Sequence, residues 1–215
     1  VLKKLQGGGR GEREADFLEK ARLHPGFSAL CPKFISREKR GADTYVAMEN
    51  LVAGMRDPVM MDLKMGTRLY GDDATADKIA SMTKKAQKST SETLGVVVSG
   101  ARIVKPDGTE QLIGQKYKVG QSTDQQTLRE ILHSFFPSEL LREKALLQVR
   151  RVTGVMCEQS DYAFYASSLL FSYDCSRGDY AEVRCTMIDF AHVWPISKPG
   201  SLDESYLTGL HTLLR

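Results

Sequence analysis

The sequence predicts an α+β chain, with a small N-terminal part built on strands and one helix and a larger mixed part after it. Three observations carry this expectation. Strand-like runs and one short helical pattern fill roughly the first fifty residues, whereas helical and strand-like segments mix beyond residue 74. No internal repeat, low-complexity tract or long linker interrupts the chain. Its 215 residues, 41% hydrophobic and 27% charged, suit one large domain or two small lobes sharing a cleft.

Val1 to Leu5 reads as a strand that starts abruptly, as though residues precede it. Gln6-Gly7-Gly8-Gly9-Arg10-Gly11 cannot be regular structure. Ala15, Phe17, Leu18 and Ala21 place a short helix over Glu12 to Leu23, ended by His24-Pro25-Gly26. Thr44 to Met48 is a strand, Glu49-Asn50-Leu51 a connector, and Val59 to Met65 another strand. A helix follows over Ala74 to Ser89. Leu94 to Val104 is β-rich, and the Pro106-Asp107-Gly108-Thr109 turn points to Leu112 to Val119 as its hairpin partner.

Leu128, Ile131, Leu132 and Phe135 recur at helical spacing. A second helix starts with Ser138 as N-cap and runs to about Val152. Phe164 to Tyr173 and Val183 to Phe190 are strands able to pair across the polar turn Asp174 to Gly178. Ser201-Leu202-Asp203-Glu204 reads as a capping box opening a last helix, with Tyr206, Leu207, Leu210 and Leu214 inward.

Composition narrows the function classes. No apolar run approaches the roughly 20 residues needed to cross a bilayer, so no integral membrane association is expected. No leader is visible, and Cys31, Cys157, Cys175 and Cys185 lack disulfide or metal spacing, which points to free thiols in the cytoplasm or nucleus. Net charge is only +3, and the basic residues are not interleaved with aromatics, so nucleic acid is not an expected partner. Lys78, Lys84, Lys85 and Lys88 fall in an acid-free stretch, a local positive field suited to an anion or simply a solvated helix face.

The chemistry concentrates at Pro58-Val59-Met60-Met61-Asp62-Leu63-Lys64-Met65-Gly66. In a strand, Asp62 and Lys64 share one face. Two charges in an apolar strand are either a buried ion pair or a site, because unpaired burial of charge is costly. The nine residues fit the pattern Pro-x-x-x-Asp-x-Lys-x-Gly. Three further segments accompany it in order: Val1-Leu2-Lys3-Lys4-Leu5-Gln6 with Arg10-Gly11 and Glu14; the Ser167-Ser168-Leu169-Leu170 run; and Met187-Ile188-Asp189-Phe190-Ala191-His192. Together they make the chain resemble the inositol polyphosphate kinases over nearly its whole length, most closely the multikinase branch.

The resemblance implies a two-lobed kinase-like fold with a short helical substrate-binding segment at about 74–89. It divides the chain into a nucleotide lobe at 1–50 and a catalytic lobe at 51–215. It implies ATP and Mg²⁺ as cofactors and a soluble inositol polyphosphate as acceptor. By resemblance, Lys3 contacts the nucleotide phosphates, held by Glu14, and Glu49 to Leu51 carry the adenine. Asp62 lies on the nucleotide side and Lys64 touches the acceptor hydroxyl and the moving phosphoryl group. Asp189 binds metal with support from Ser168, while Arg68, Lys78, Lys85 and His192 contact substrate. The chain departs from the multikinase pattern at Gly7-Gly8-Gly9, where prolines are usual, at Asn50, where an acid is usual, and at Ser81 and Met82, where glutamines are usual. A hexakisphosphate kinase is the alternative within the family, and a non-catalytic inositol-phosphate-binding module the alternative outside it.

Overall fold

The computed structural model describes residues 1–105, 107–114 and 122–215. Strands β1 (Leu2–Lys4), β2 (Phe34–Arg40) and β3 (Asp43–Met48) form an antiparallel sheet in the order β1-β3-β2. Helix α1 (Arg10–Ala21) follows β1. A second antiparallel sheet holds β4 (Pro58–Met65), β5 (Val96–Val104), β6 (Glu110–Gly114), β8 (Ser168–Asp174) and β9 (Arg184–Ile188), ordered β6-β5-β4-β8-β9. Strand β7 (Tyr162–Phe164) pairs separately with β10 (Val193–Pro195). Helices α2 (Ala76–Gln87) and α3 (Ser91–Leu94) lie between β4 and β5. Helices α4 (Gln125–Phe135), α5 (Glu139–Glu158) and α6 (Glu204–Leu213) pack against β5, β9 and β4. The architecture is therefore α+β, with mixed helices and antiparallel sheets.

Strand β4 is central, flanked by β5 and β8. Val59, Met61, Leu63 and Met65 are fully buried, while Met60, Asp62 and Lys64 on the other face are half-buried. Each buried aliphatic or thioether side chain contributes roughly 1.5–3 kcal/mol, so the register of β4 is strongly fixed. A one-residue slip would put Asp62 and Lys64 in the core. Register with β8 is continuous, pairing Asp62 with Leu170 and Lys64 with Ser168. Register with β5 shifts between Asp62 and Leu63, an irregularity of the kind that re-aims side chains.

The end of β4 is fixed by close backbone packing. Gly66 has φ of 95°, a left-handed conformation that glycine adopts freely, and its N–H donates to the Gly95 carbonyl at 2.7 Å. Gly95 in turn meets Gly209 of α6. A Cβ on Gly209 would run into the Gly95 carbonyl oxygen and the Met65 side chain. Gly209→Ala is therefore expected to destabilise the fold by about 1–3 kcal/mol, read as a lower urea midpoint in equilibrium unfolding.

Several expectations are corrected. The run Phe164 to Tyr173 is not one strand: it breaks at residues 165–167, where Ala166 takes a left-handed φ of 54°, so β7 and β8 join different sheets. Strand β2 has no counterpart among the expected elements, because Arg37, Glu38, Lys39 and Arg40 hide its alternation. Helix α5 runs on to Glu158, six residues past Val152, since Val152 and Met156 continue its buried stripe. The last helix is capped by Asp203, whose carboxylate accepts from Tyr206 N–H at 3.0 Å, and not by a Ser201–Glu204 box. Its inward face holds Tyr206, Leu207 and Leu210, whereas Leu214 is only partly buried. The hairpin partner of β5 is confirmed as β6 up to Gly114; most of the rest of the expected strand lies outside the described residues. All four cysteines are free thiols. Among the described residues, no helix is long and apolar enough to cross a membrane.

Candidate active site

The site is built at the ends of β1, β4, β8 and β9. Lys3, at the centre of β1, reaches both Glu14 of α1 at 2.8 Å and Asp189 at 2.7 Å. Glu14 is almost fully buried and also accepts from the Phe190 N–H at 3.3 Å. Burial alone would lower the Lys3 ammonium. Asp189 and Glu14 outweigh it and hold the pKa above the usual lysine value. Asp189 follows the last residue of β9 and takes a left-handed φ of 64°, which aspartate tolerates better than most residues. It and Ala166 are the only non-glycine residues with positive φ among those described. Such strain, about 1–3 kcal/mol each, concentrates where function holds a backbone in place.

Lys64 extends from β4 and donates to the Ala166 carbonyl at 2.8 Å. The neighbouring Tyr165 N–H donates to the His192 carbonyl at 3.1 Å. The turn that splits the expected long strand thus ties Lys64 to the segment bearing His192. Asp62 lies on the same face of β4. Burial pushes its carboxyl above the usual range, against the pull of Ser168 and Lys64. Its Oδ1 atom and the Ser168 hydroxyl are both buried, and the hydroxyl pulls the carboxyl down without a well-formed hydrogen bond between them.

Two clefts open on this arrangement and meet at Asp189. The first, about 240 Å³, is lined by Lys3, Glu14, Glu49, Asn50, Leu51 and Asp189, with apolar walls that include Met60 and Leu170. The second, about 220 Å³, is lined by Lys64, Lys78, Lys85, His192 and Asp189, with Gln6, Met82 and Ala166. Asp62 sits on β4 between Met60, which faces the first cleft, and Lys64, which faces the second. Lys78 and Lys85 line the second cleft from one face of α2, and Lys84 and Lys88 do not. Burial lowers the pKa of His192, against the pull of Asp73, and its Nδ1 has no partner. A larger apolar cavity of about 470 Å³ lies where Leu63 points, against α4, α5 and α6. It contains none of the carboxylates and lysines described here.

Most of the residues singled out by sequence therefore converge. Arg68 does not. Its guanidinium stacks at 3.9 Å over Tyr165 and 4.8 Å over Tyr70, and pairs with Asp72, so it fastens the loop after β4 instead of lining the basic cleft. Met60 was missed, although alternation with Asp62 put it on the same face. Gln6 and Ala166 were missed because a glycine-rich segment and a turn inside an apolar run carry no periodic signal.

The donor set fits a magnesium ion only in part by itself. Among the described residues no group of three or more His, Cys, Asp or Glu side chains could hold a metal. Mg²⁺ is commonly held by one or two carboxylates together with substrate phosphates and water. Asp189, at the junction of the two clefts, supplies one such carboxylate.

The chain is 36% identical to mouse inositol hexakisphosphate kinase 3 over 213 residues, covering 86% of this chain and 52% of that protein. It is 38% identical to human inositol hexakisphosphate kinase 1 over 135 residues, covering 60% of this chain and 30% of that one. The chain thus spans about half the length of the curated relatives it matches best over their length. In fold it is similar to the inositol phosphate multikinase of S. cerevisiae, solved with ADP and Mn²⁺. That match has a TM-score of 0.83 at 23% identity and covers 100% of this chain and 96% of that one. A second solved inositol phosphate multikinase gives a TM-score of 0.76 at 23% identity, covering 94% and 96%. These structural matches confirm the kinase-like α+β fold. The family model described as inositol polyphosphate kinase matches residues 45–215, a span that takes in Asp62, Lys64, the basic face of α2 and Asp189, and the chain belongs to that family.

Proposed function

We propose that this chain is an ATP- and Mg²⁺-dependent kinase that transfers the γ-phosphate to a hydroxyl of a soluble inositol polyphosphate. The observation that carries the reading is the meeting of two clefts at Asp189, one with Lys3, Glu49 and Leu51, the other with Lys64, Lys78, Lys85 and His192. In this reading residues 1–50 supply the nucleotide lobe and 51–215 the catalytic lobe. The backbone at Glu49 to Leu51 takes the adenine between apolar walls such as Met48 and Leu170. Lys3, oriented by Glu14, holds the nucleotide phosphates. Asp189, Asp62 and Ser168 would hold the metal, which when bound would neutralise charge on the phosphate oxygens.

Lys64 stands between the two ligands. Phosphoryl transfer demands positioning and charge neutralisation more than covalent help, and an ammonium there stabilises the equatorial oxygens as the group moves. Lys78 and Lys85 bind the acceptor's phosphates as point charges tolerant of angle, and His192 offers a neutral ring to the same ligand. Among the described residues, Lys64, Lys78 and Lys85 supply the cationic lining of the basic cleft. The similarity to hexakisphosphate kinases favours a second reading, in which a phosphate group of the fully phosphorylated ring is the acceptor.

A panel of inositol tris-, tetrakis-, pentakis- and hexakisphosphates, resolved by anion-exchange chromatography after incubation with ATP and Mg²⁺, separates the two. The first reading predicts turnover of the tris- and tetrakisphosphates with the hexakisphosphate left intact. Conversion of the hexakisphosphate to a pyrophosphate, with the lower phosphates untouched, would replace it by the second.

A further inference from the structure

The geometry points to Arg13 as a positioning residue that holds the basic helix α2 against the nucleotide side of the site, through an ion pair with Asp73. The inference rests on the reading of the second cleft as the acceptor site, and concerns what fixes its far wall. Helix α2 carries Lys78 and Lys85, yet it buries only Ala86. A helix with one buried residue is not placed by core packing; its position depends on its ends. At the C-terminal end the chain turns directly into the buried Thr90 and Ser91 and then α3. At the N-terminal end stands the segment 66–75, closed by Thr75 as N-cap.

Arg13 reaches that segment from α1. Its Nη2 meets Asp73 Oδ2 at 2.8 Å, three residues before the first residue of α2. Its Nε donates to the Ala191 carbonyl at 2.9 Å, between Asp189 and His192. Its guanidinium lies 4.2 Å from the centre of the Trp194 ring. One side chain therefore joins three segments that bear site residues: α1, which also carries Glu14, the Asp189–His192 segment, and the approach to α2. The planar fork with a stacked face is what arginine supplies and lysine does not. The Arg68 clamp, by contrast, stays within its own loop and the adjoining Tyr165 turn.

Energetically this is a tether and not a pillar. The Arg13 and Asp73 side chains are 22% and 41% exposed, and pairs so exposed add little to global stability. Loss of the pair should leave the fold standing and let α2 drift. A displacement of about 1 Å can cost up to roughly 100-fold in rate, so a tenfold rise in the acceptor's KM is within reach of a lost tether.

Arg13→Gln, Asp73→Asn and the double variant test this by hydrogen exchange and by kinetics. Amides of residues 76–87 are expected to exchange faster in each single variant, and no faster in the double, with β4 and α5 unchanged. The KM for inositol trisphosphate is expected to rise about tenfold while the KM for ATP stays within twofold. Unchanged exchange in α2, or additive effects in the double variant, would overturn the tether. Equal rises in both KM values would make Arg13 a general structural residue and overturn it as well. If the unaltered chain phosphorylates no inositol phosphate, the proposed activity fails, and the exchange result still decides the tether by itself.

Discussion

Lys64→Ala is expected to lower kcat for inositol phosphate phosphorylation by about 1000-fold, equivalent to roughly 4 kcal/mol of transition-state stabilisation. The physical basis is position. Lys64 is the one lysine that sits on β4 beside Asp62 and also lines the cleft shared with Lys78, Lys85 and Asp189. In the free chain its ammonium donates one of its three N–H groups to the Ala166 carbonyl at 2.8 Å, which holds it at the cleft without spending it on a carboxylate. Truncation leaves that carbonyl without its donor, at a cost of about 1 kcal/mol if water does not replace it, so the variant should remain folded. Circular dichroism and a melting curve next to the kinetics check both halves. A KM change with kcat intact would reduce Lys64 to a binding contact.

Asp189→Asn is expected to abolish the dependence of ATP binding on Mg²⁺ and to lower turnover by about 1000-fold. Asparagine keeps the shape but not the charge. Asp189 is where both clefts meet, its backbone is held in the left-handed region, and it directly follows Ile188, which pairs with Ser168. Its bond to Lys3 is 34% and 45% exposed on the two sides, so its loss should cost less than about 1 kcal/mol of stability. Lys3 keeps Glu14 in the variant. Calorimetric titration of ATP with and without Mg²⁺ provides the measurement: the two isotherms should differ for the unaltered chain and coincide for the variant. Persistence of the difference would move the metal away from Asp189.

Strand β4 explains why much of this was legible in the sequence. Its alternation is uninterrupted from Pro58 to Met65, so the face shared by Asp62 and Lys64 follows from residue order and strand geometry alone. Helix α2 was legible for the same reason, since the seven-residue spacing of Lys78 and Lys85 is two helical turns. Lys3, Glu14 and Asp189 rest mainly on the resemblance, and the structure brings the three side chains together through contacts that span up to 186 residues of sequence.

What sequence did not reveal was set by tertiary contact. The break at Ala166 lies inside an apolar run that reads as a single strand, and only the separate pairing of β7 with β10 divides it. Strand β2 is charged because one face meets solvent, and Arg37 there pairs with Glu12, Asp16 and Glu19 of α1 across a gap no periodicity reports. Arg68 looked like a substrate contact from its place after the signature. In the structure it stacks on two tyrosines and pairs with Asp72, contacts that no sequence signal reports. Arg13 drew no notice because an arginine in an amphipathic helix is ordinarily a solvated one.

In the proposed function the two clefts joined at Asp189 form one phosphoryl-transfer site. The most direct measurement incubates the purified chain with γ-labelled ATP, Mg²⁺ and inositol trisphosphate, and follows the label. Label is expected in a more highly phosphorylated inositol product, absent without acceptor and lost in Lys64→Ala. A folded chain that binds ATP and inositol trisphosphate together, yet moves no label to any inositol phosphate, would contradict it.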